Sequence, residues 1–358
     1  MGNFMFYKIS VFSLFCISLF SAEHVYLKTP NISRENIIGT NTGIRPYRKT
    51  GVRLEAEWLQ DKLIIHNYGY GGSGLTLSFG GSNEVLGILN DENISSNPIA
   101  VLGAGVVGLA TAYDLLEKGY EVHLYSDQWS PYLTSNVAAG IWTPLTLSSD
   151  VTLDKKQLHE RLLEVAEKRF LRSTGDDPEF AGVSLMNYYV LAGNSQEVTI
   201  TNAAEEVIVH FDNGVIKRGR KLCRVGLDGQ VFMEDLYAKV KSKGAILQQQ
   251  HFENVEELLN LKEPVLINCM SMGSRQLFHD QELTPIRGQL VYFKPQEDID
   301  YGLVQKIPGS SYFVNVYPWS DRIIVGGVYE HGEEELRVNQ EAIEIIIENA
   351  EKCLSGEL

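Results

Sequence analysis

Three glycines at fixed spacing carry the first chemical signal. In Ile99-Ala-Val-Leu-Gly-Ala-Gly-Val-Val-Gly-Leu-Ala110, an apolar β-branched run stops at Gly103 and resumes from Val106 with a helical pattern. Gly103 permits a tight turn out of a strand, Gly105 lets backbone approach a pyrophosphate with no Cβ in the way, and Gly108 lets the helix pack close to the sheet. Beside Gly103, Ala104 and Val107, the helix start offers free N–H groups and the positive end of its dipole to phosphate oxygens. The place where an acidic residue usually meets an adenosine ribose falls at Ser126, with Asp127 next to it.

Two other stretches offer anion chemistry. Arg45 precedes Pro46, which pushes its backbone towards extended structure, and its planar fork of five donors suits a carboxylate. A surface arginine is the plainer reading. In Asn67-Tyr-Gly-Tyr-Gly-Gly-Ser-Gly-Leu-Thr-Leu77, four glycines lead into an apolar helix whose start near Ser73 carries positive potential. A flexible turn is the alternative there.

The elements needed to place these residues are legible around them. Val107, Ala110, Thr111, Leu115 and Leu116 follow helical spacing to Gly119, and Glu121–Tyr125 reads as the second strand of a βαβ unit. Leu63–His66 and Val265–Asn268 read as buried strands, and Leu153–Leu171 as an amphipathic helix. Thr134–Pro144 sets small residues and Gly140 beside Trp142, as backbone running against a flat ring requires. Tyr188–Asp228, Arg287–Phe293, Tyr312–Tyr317 and Arg322–Gly327 read as a β region, and Asn339–Cys353 as a closing helix.

Composition bounds the rest. At 358 residues the chain can bury a large core and form two lobes. Its 31 Lys and Arg against 46 Asp and Glu give a net charge of −15, which repels nucleic acid and anionic lipid. Lys8 and the apolar run Ile9–Phe20 resemble a secretory leader, too short for a stable membrane span, and predict export to a secreted or periplasmic location. A buried first strand or helix, in a cytoplasmic protein, is the alternative. Cys16 falls in that leader, and Cys223, Cys269 and Cys353 have neither metal-like spacing nor an even count, so no zinc site or disulfide framework is expected.

The longer motifs resemble the D-amino-acid oxidase and D-aspartate oxidase family of FAD-dependent oxidoreductases. They are GAGVVGLATA from Gly103, YSDQWSP from Tyr125, VAAGIWTP from Val137, INC from Ile267, TPIRGQL from Thr284, IIVGG from Ile323, TGIRPYR from Thr42 and HNYGYGGSGLT from His66. The likeness spans most of residues 36–340. It implies an α/β fold: an FAD-binding Rossmann-like domain and a second domain with a mixed or antiparallel sheet.

The order of the motifs departs from the family. There the GIRP and HNYG motifs close the chain, whereas here they precede the βαβ unit, so the chain resembles a circular permutant. The expected organisation is a leader over 1–22, linker over 24–36, the family's closing FAD-domain segment at 36–89, and a connector at 90–98. FAD-binding segments follow at 99–180 and 233–285, substrate segments at 181–232 and 286–340, and a closing helix at 341–358. The resemblance also predicts that Leu358 lies near residues 24–35 and that Gly72, Gly103 and Gly140 share one cleft.

Carried over residue by residue, the resemblance places Gly103, Ala104, Gly105, Val107 and Gly108 at the pyrophosphate and Asp127 and Gln128 near the adenosine. Thr134, Ser135, Ala139, Gly140 and Ile141 line the pyrophosphate and flavin, Phe252 the adenine, and Gly72, Ser73, Gly74, Leu75 and Thr76 the pyrimidine end. Arg45 corresponds to the arginine that pairs with the substrate carboxylate, and the Gly72 carbonyl to an acceptor for the amine. Of the family's two active-site tyrosines, Asn315 stands at the second; Tyr312 is a loose match to the first and Tyr317 the other available hydroxyl. The implied reaction is hydride transfer from a small, D-configured amino acid to flavin and then O2, with a homodimer left open. A flavin dehydrogenase using another acceptor, or an FAD-binding protein without activity, fits the same motifs.

Overall fold

The computed structural model describes residues 22–95, 98–143, 151–192, 204–310 and 312–358. The leader expected over residues 1–22 lies, apart from Ala22, outside them. Among the described residues no helix is long and apolar enough to cross a membrane, and no group of three or more metal-ligating side chains gathers.

Two sheets organise the chain. The smaller has the order β10 (Ile246–Gln249), β6 (Val122–Ser126), β5 (Ile99–Leu102), β11 (Val265–Asn268), β4 (Lys62–Tyr68) and β3 (Arg53–Leu59). Its strands run parallel except β3, which returns antiparallel on β4. β4, β5 and β11 are buried along their whole length, as strands covered on both faces must be, and this is why Leu63–Ile65, Ile99–Leu102 and Val265–Ile267 read as apolar runs. α1 (Gly74–Asp91), α2 (Val106–Glu117), α4 (Leu153–Arg172) and α5 (Gly229–Ser242) supply the core on one face. The short α6 (Val255–Leu259) and α7 (Gly273–Leu277) cover the other.

The larger sheet has the order β1 (Glu23–Leu27), β8 (Glu205–Phe211), β9 (Ile216–Leu227), β7 (Val183–Leu191), β13 (Tyr301–Lys306), β14 (Phe313–Pro318), β15 (Ile323–Gly326), β12 (Leu283–Phe293) and β16 (Glu330–His331). β2 (Ile37–Arg48) runs antiparallel along β12. One face packs on α8 (Gln340–Ser355), which is capped by the Asn339 side chain. The other, with Tyr188, Val190, Leu222, Leu290, Val304 and Tyr317, faces the smaller sheet's end of the molecule.

The stretch 24–36 is not linker. It opens with β1, which pairs in parallel with β8. Its outward residues are polar and exposed, and only Val25 and Leu27 turn towards the core, so an edge strand here carries too little apolar signal to be read.

Residues 37–89 serve both sheets: β2 joins the larger, while β3, β4 and α1 complete the smaller. The residues just after β1 and the C-terminal residues meet at the turn after β8. Asp212 N–H donates to the Leu27 carbonyl and its carboxylate accepts from Thr29, while Asn213 Nδ2 donates to the Leu354 carbonyl at 2.9 Å. Lys217 Nζ donates to the Leu358 carbonyl at 2.6 Å.

Candidate active site

Between the two sheets lies a cavity of about 1270 Å³ lined by Gly72, Gly103 and Gly140 together. The expected common cleft is therefore present. Its floor is backbone. β5 turns at Gly103, which has φ +101°, a conformation that favours glycine. A Cβ at Gly108 would strike the Gly103 carbonyl, so the fingerprint spacing is fixed by contact between α2 and the end of β5.

Two helix starts converge here. α2 begins after Gly105 and α1 after Ser73, and neither of these residues caps its helix with its own side chain. They meet closely: a Cβ on Gly74 would lie 3.3 Å from Val106 Cγ1. Val106 N–H at the start of α2 donates to Ser135 Oγ at 3.1 Å, and the remaining N–H groups and two positive dipole ends facing one cavity suit a long, anionic, dinucleotide-type ligand. The cradle fits such a group, since Cβ atoms in it would collide with its own backbone.

The 137–143 stretch ties the two sheets across this cleft. Leu227 N–H donates to the Gly140 carbonyl at 2.6 Å, Trp142 N–H to Val225 O at 2.9 Å, and Trp142 Nε1 to Thr76 O at 3.1 Å. Thr134, Ser135, Ala139, Gly140 and Ile141 consequently line the cavity, as do Gly103, Ala104, Gly105, Val107, Asp127 and Phe252. On the α1 side, Gly72, Gly74, Leu75 and Thr76 line it too. Three expected cofactor residues sit just outside. Gly108 packs below the turn, Ser73 is the buried residue preceding α1, and Gln128 is exposed, its carbonyl accepting from Ser126 Oγ at 2.6 Å.

Arg45 is the centre of the opposite wall. Gly71 N–H donates to Pro46 O at 2.9 Å, and Tyr47 bridges Tyr70, so the glycine loop is laced to β2. This sets Gly72 beside Arg45: a Cβ at Gly72 would lie 2.8 Å from Arg45 Cδ, and one at Gly288 would run into the guanidinium. The guanidinium stacks 4.5 Å from the centre of the Tyr329 ring, and Nη1 donates to Val328 O at 3.3 Å. No carboxylate partner is recorded for it among the described residues. Burial draws its pKa below the ordinary value, with Tyr329 opposing.

Tyr329 is itself fixed by its neighbour. Glu330 accepts from Arg287 Nη2 and Nε, Gln289 Nε2 and Asn339 Nδ2, all within 2.9 Å. The Arg287 hydrogen bond leads in holding the Glu330 carboxyl down at about 2.

Tyrosines complete the wall. Tyr188 and Tyr317 stack with ring centres 6.2 Å apart, and Tyr317 Oη donates to Asn315 Oδ1 at 2.9 Å. Burial pushes the Tyr188 hydroxyl up to about 12 and Tyr317 well above its ordinary value, so both are neutral donors at physiological pH. Asn315 and Tyr317 line the cavity, whereas Tyr312 does not: it packs with the cluster under α8 on the sheet's other face. Tyr312 precedes β14, so the alternation that points Phe313, Asn315 and Tyr317 inwards passes it by. Tyr188, Arg224 and Tyr329, absent from the expected set, also line the cavity. The alternation of Tyr188 with Val190 was readable, but which face it served was not.

A glycine-floored dinucleotide cleft, closed by a mixed sheet that presents an arginine and hydroxyls, defines a flavin-dependent oxidoreductase. The family model described as FAD dependent oxidoreductase matches residues 98–358, and the chain belongs to that family. A D-amino acid oxidase of Dugesia ryukyuensis is 27% identical over 206 residues, 54% of this chain and 60% of that protein, so the chain spans three-fifths of that relative's length. The D-aspartate oxidase of Homo sapiens is 26% identical over 253 residues, 68% of this chain and 72% of that protein. In fold, the chain is similar to glycine oxidase from Geobacillus kaustophilus, with a TM-score of 0.54 at 15% identity over 70% of this chain and 76% of that one.

Proposed function

We propose that the chain is an oxidase of a small D-amino acid. The observation that carries this is Arg45: a partly buried guanidinium with no acidic partner recorded, locked between Gly72, Gly288 and Tyr329 at the cofactor cleft. Arg45 binds the substrate α-carboxylate, and the Gly72 carbonyl accepts a hydrogen bond from its amine. The Tyr188 and Tyr317 hydroxyls are neutral, that of Tyr317 already donating to Asn315, and take no proton at pH 7.

With the substrate so held, its α-C–H bond breaks with the electron pair leaving as hydride, and the nitrogen lone pair forms the C=N bond. No side-chain base is required, and the protein's part is orientation and charge. FAD, which the Gly103–Val107 turn and the Gly72–Thr76 loop would hold, would supply the two-electron acceptor, with O2 as final oxidant and hydrogen peroxide as its product. Water then adds to the imino acid, giving a 2-oxo acid and ammonia.

The motif order and the meeting of Leu27 and Thr29 with the C-terminal residues around Asp212 and Asn213 support a circularly permuted arrangement, with residues 90–98 joining the family's old termini. We assign residues 1–22 as a leader directing export, and intact mass of the exported protein tests it. The chemistry is tested by oxygen uptake and peroxide release with D-amino acids, glycine and sarcosine. Uptake stoichiometric with 2-oxo acid supports the reading; flavin reduction without oxygen uptake would make it a dehydrogenase. No reduction by any of them would make it a binding protein.

A further inference from the structure

Two tripeptides of the sequence have no part in the cleft. Asn31-Ile-Ser33 and Asn93-Ile-Ser95 are the two places where an asparagine is followed, two residues on, by serine or threonine with no proline between. That pattern is the acceptor for an N-linked glycan when it lies in a surface loop of a chain that enters a secretory lumen. Both tripeptides lie outside the motifs shared with the oxidase family. Asn31 comes ahead of the first of them, which begins at Thr42, and Asn93 falls in the 90–98 connector.

The structure presents each asparagine as such a modification requires. Asn31 is exposed, in the loop that follows β1. One side chain holds its backbone on both sides: Asn31 N–H donates to Gln296 Oε1 at 2.8 Å, and the Asn31 carbonyl accepts from Gln296 Nε2 at 2.9 Å. Ile32 is buried in the core between the larger sheet and α8, which anchors the loop from below. Ser33 N–H donates to Asn31 Oδ1 at 3.1 Å, a turn closed through the side chain. The oxygen is thus engaged with the chain, and no partner is recorded for the amide nitrogen among the described residues.

Asn93 is also exposed, in the turn after α1, with φ +56°, a conformation that asparagine tolerates better than most residues. Its Nδ2 donates to the Asp91 carbonyl at 3.2 Å, which uses one of its two hydrogens. Tyr120 Oη donates to the Ile94 carbonyl at 2.9 Å and pins the middle residue, and Ser95 is exposed. Neither asparagine lines the cavity, so a bulky group on either one leaves the cleft open.

We infer that Asn31 and Asn93 are N-glycosylation sites. At each, Nδ2 forms a bond to C1 of a sugar carried on a lipid diphosphate, the bond from C1 to the diphosphate oxygen breaks, and the diphosphate leaves as the amide gives up one proton. Nothing is oxidised or reduced. Asn93 keeps its second amide hydrogen for the Asp91 carbonyl. The inference rests on the leader assigned to residues 1–22, because the transfer takes place in the lumen.

The test expresses the full chain in cultured mammalian cells, once with its own first 22 residues and once with these replaced by a leader known to direct export. Secreted protein is compared by gel mobility before and after digestion with a peptide N-glycosidase, beside Asn31→Gln, Asn93→Gln and the double variant. Wild type is expected to shift by two steps, each single variant by one and the double variant by none. Digestion in water enriched in heavy oxygen should mark residues 31 and 93 as aspartate in peptide mass spectra. Ser33→Ala and Ser95→Ala keep both asparagines and should lose the same steps. An asparagine left unmodified in the secreted wild type, or a step that survives its serine variant, overturns the inference at that site. Glycosylated protein from the borrowed leader, with the native chain retained in the cytosol, means that the leader reading fails alone. Export by the native leader of a chain without glycans overturns the inference alone.

Discussion

The two walls of the cavity recognise their ligands by opposite means. The wall from the smaller sheet works with backbone: the turn at Gly103, the starts of α1 and α2, and the Ala139–Ile141 stretch. The wall from the larger sheet works with side chains set on alternating strand positions, among them Arg45, Tyr188, Arg224, Asn315 and Tyr317. Backbone recognition needs glycine where a Cβ would collide, so it cannot drift without losing the cleft. Side-chain recognition changes by single substitutions on an unchanged sheet, and this lets one fold serve different substrates.

That contrast predicts how each wall breaks. The largest effect belongs to the backbone wall: Gly108→Val should abolish flavin binding altogether, because its Cβ would strike the Gly103 carbonyl. Flavin absorbance per protein after reconstitution measures it, and a normally yellow variant would show that the fingerprint does not set the cleft.

On the side-chain wall the losses should be in substrate and not in flavin. Arg45→Ala should raise KM on the order of 100-fold, the equivalent of about 3 kcal/mol for a charge-assisted bidentate pair, with flavin content near wild type. A smaller step is expected behind it. Glu330→Gln weakens the cluster with Arg287 and Asn339 that seats Tyr329 under Arg45, and should cost about 2 kcal/mol of stability, the scale of hydrogen bonds to a charged group.

The same carboxylate gives a pH dependence. Its pKa is held at about 2 in the folded protein and lies near 4.5 otherwise, so its stabilisation is complete above pH 4.5 and is lost as pH falls towards 2. Chemical unfolding of wild type against Glu330→Gln should therefore converge at the acid end; a difference that persists at pH 2 would contradict this assignment. The smallest effect is Tyr317→Phe. It removes the hydrogen bond to Asn315 and should change kcat/KM only several-fold, about 1 kcal/mol, with Asn315 left to reorient at the cavity wall.

Legibility in the sequence follows the same division. The fingerprint, the His66–Thr76 loop and the 137–143 stretch were readable because their glycines are dictated by collisions that any such cleft would have. Arg45 was readable only through the motif around it, since a lone Arg-Pro carries no sign of burial. On the strand wall, sequence offered hydroxyls but not facing. Tyr312 and Tyr317, five residues apart, fall on opposite faces of the strand, and only the packing of the sheet decides which face meets the cavity. Tyr329 follows a Gly-Gly pair with no periodic signal and owes its place to Glu330 and Arg287, which come from β16 and β12. β1 was missed because an exposed edge strand has few apolar residues to betray it.

The central claim is that one cavity, closed by Arg45 from ahead of the fingerprint and by Gly103 from within it, joins flavin and amino acid. Anaerobic stopped-flow mixing of the flavin-loaded protein with the best D-amino acid, followed at the flavin absorption near 450 nm, tests it most directly. The account predicts full bleaching in wild type, and in Arg45→Ala the same flavin content with bleaching that saturates only at on the order of 100-fold higher substrate. Equal saturation in both proteins would put the carboxylate elsewhere and contradict the site.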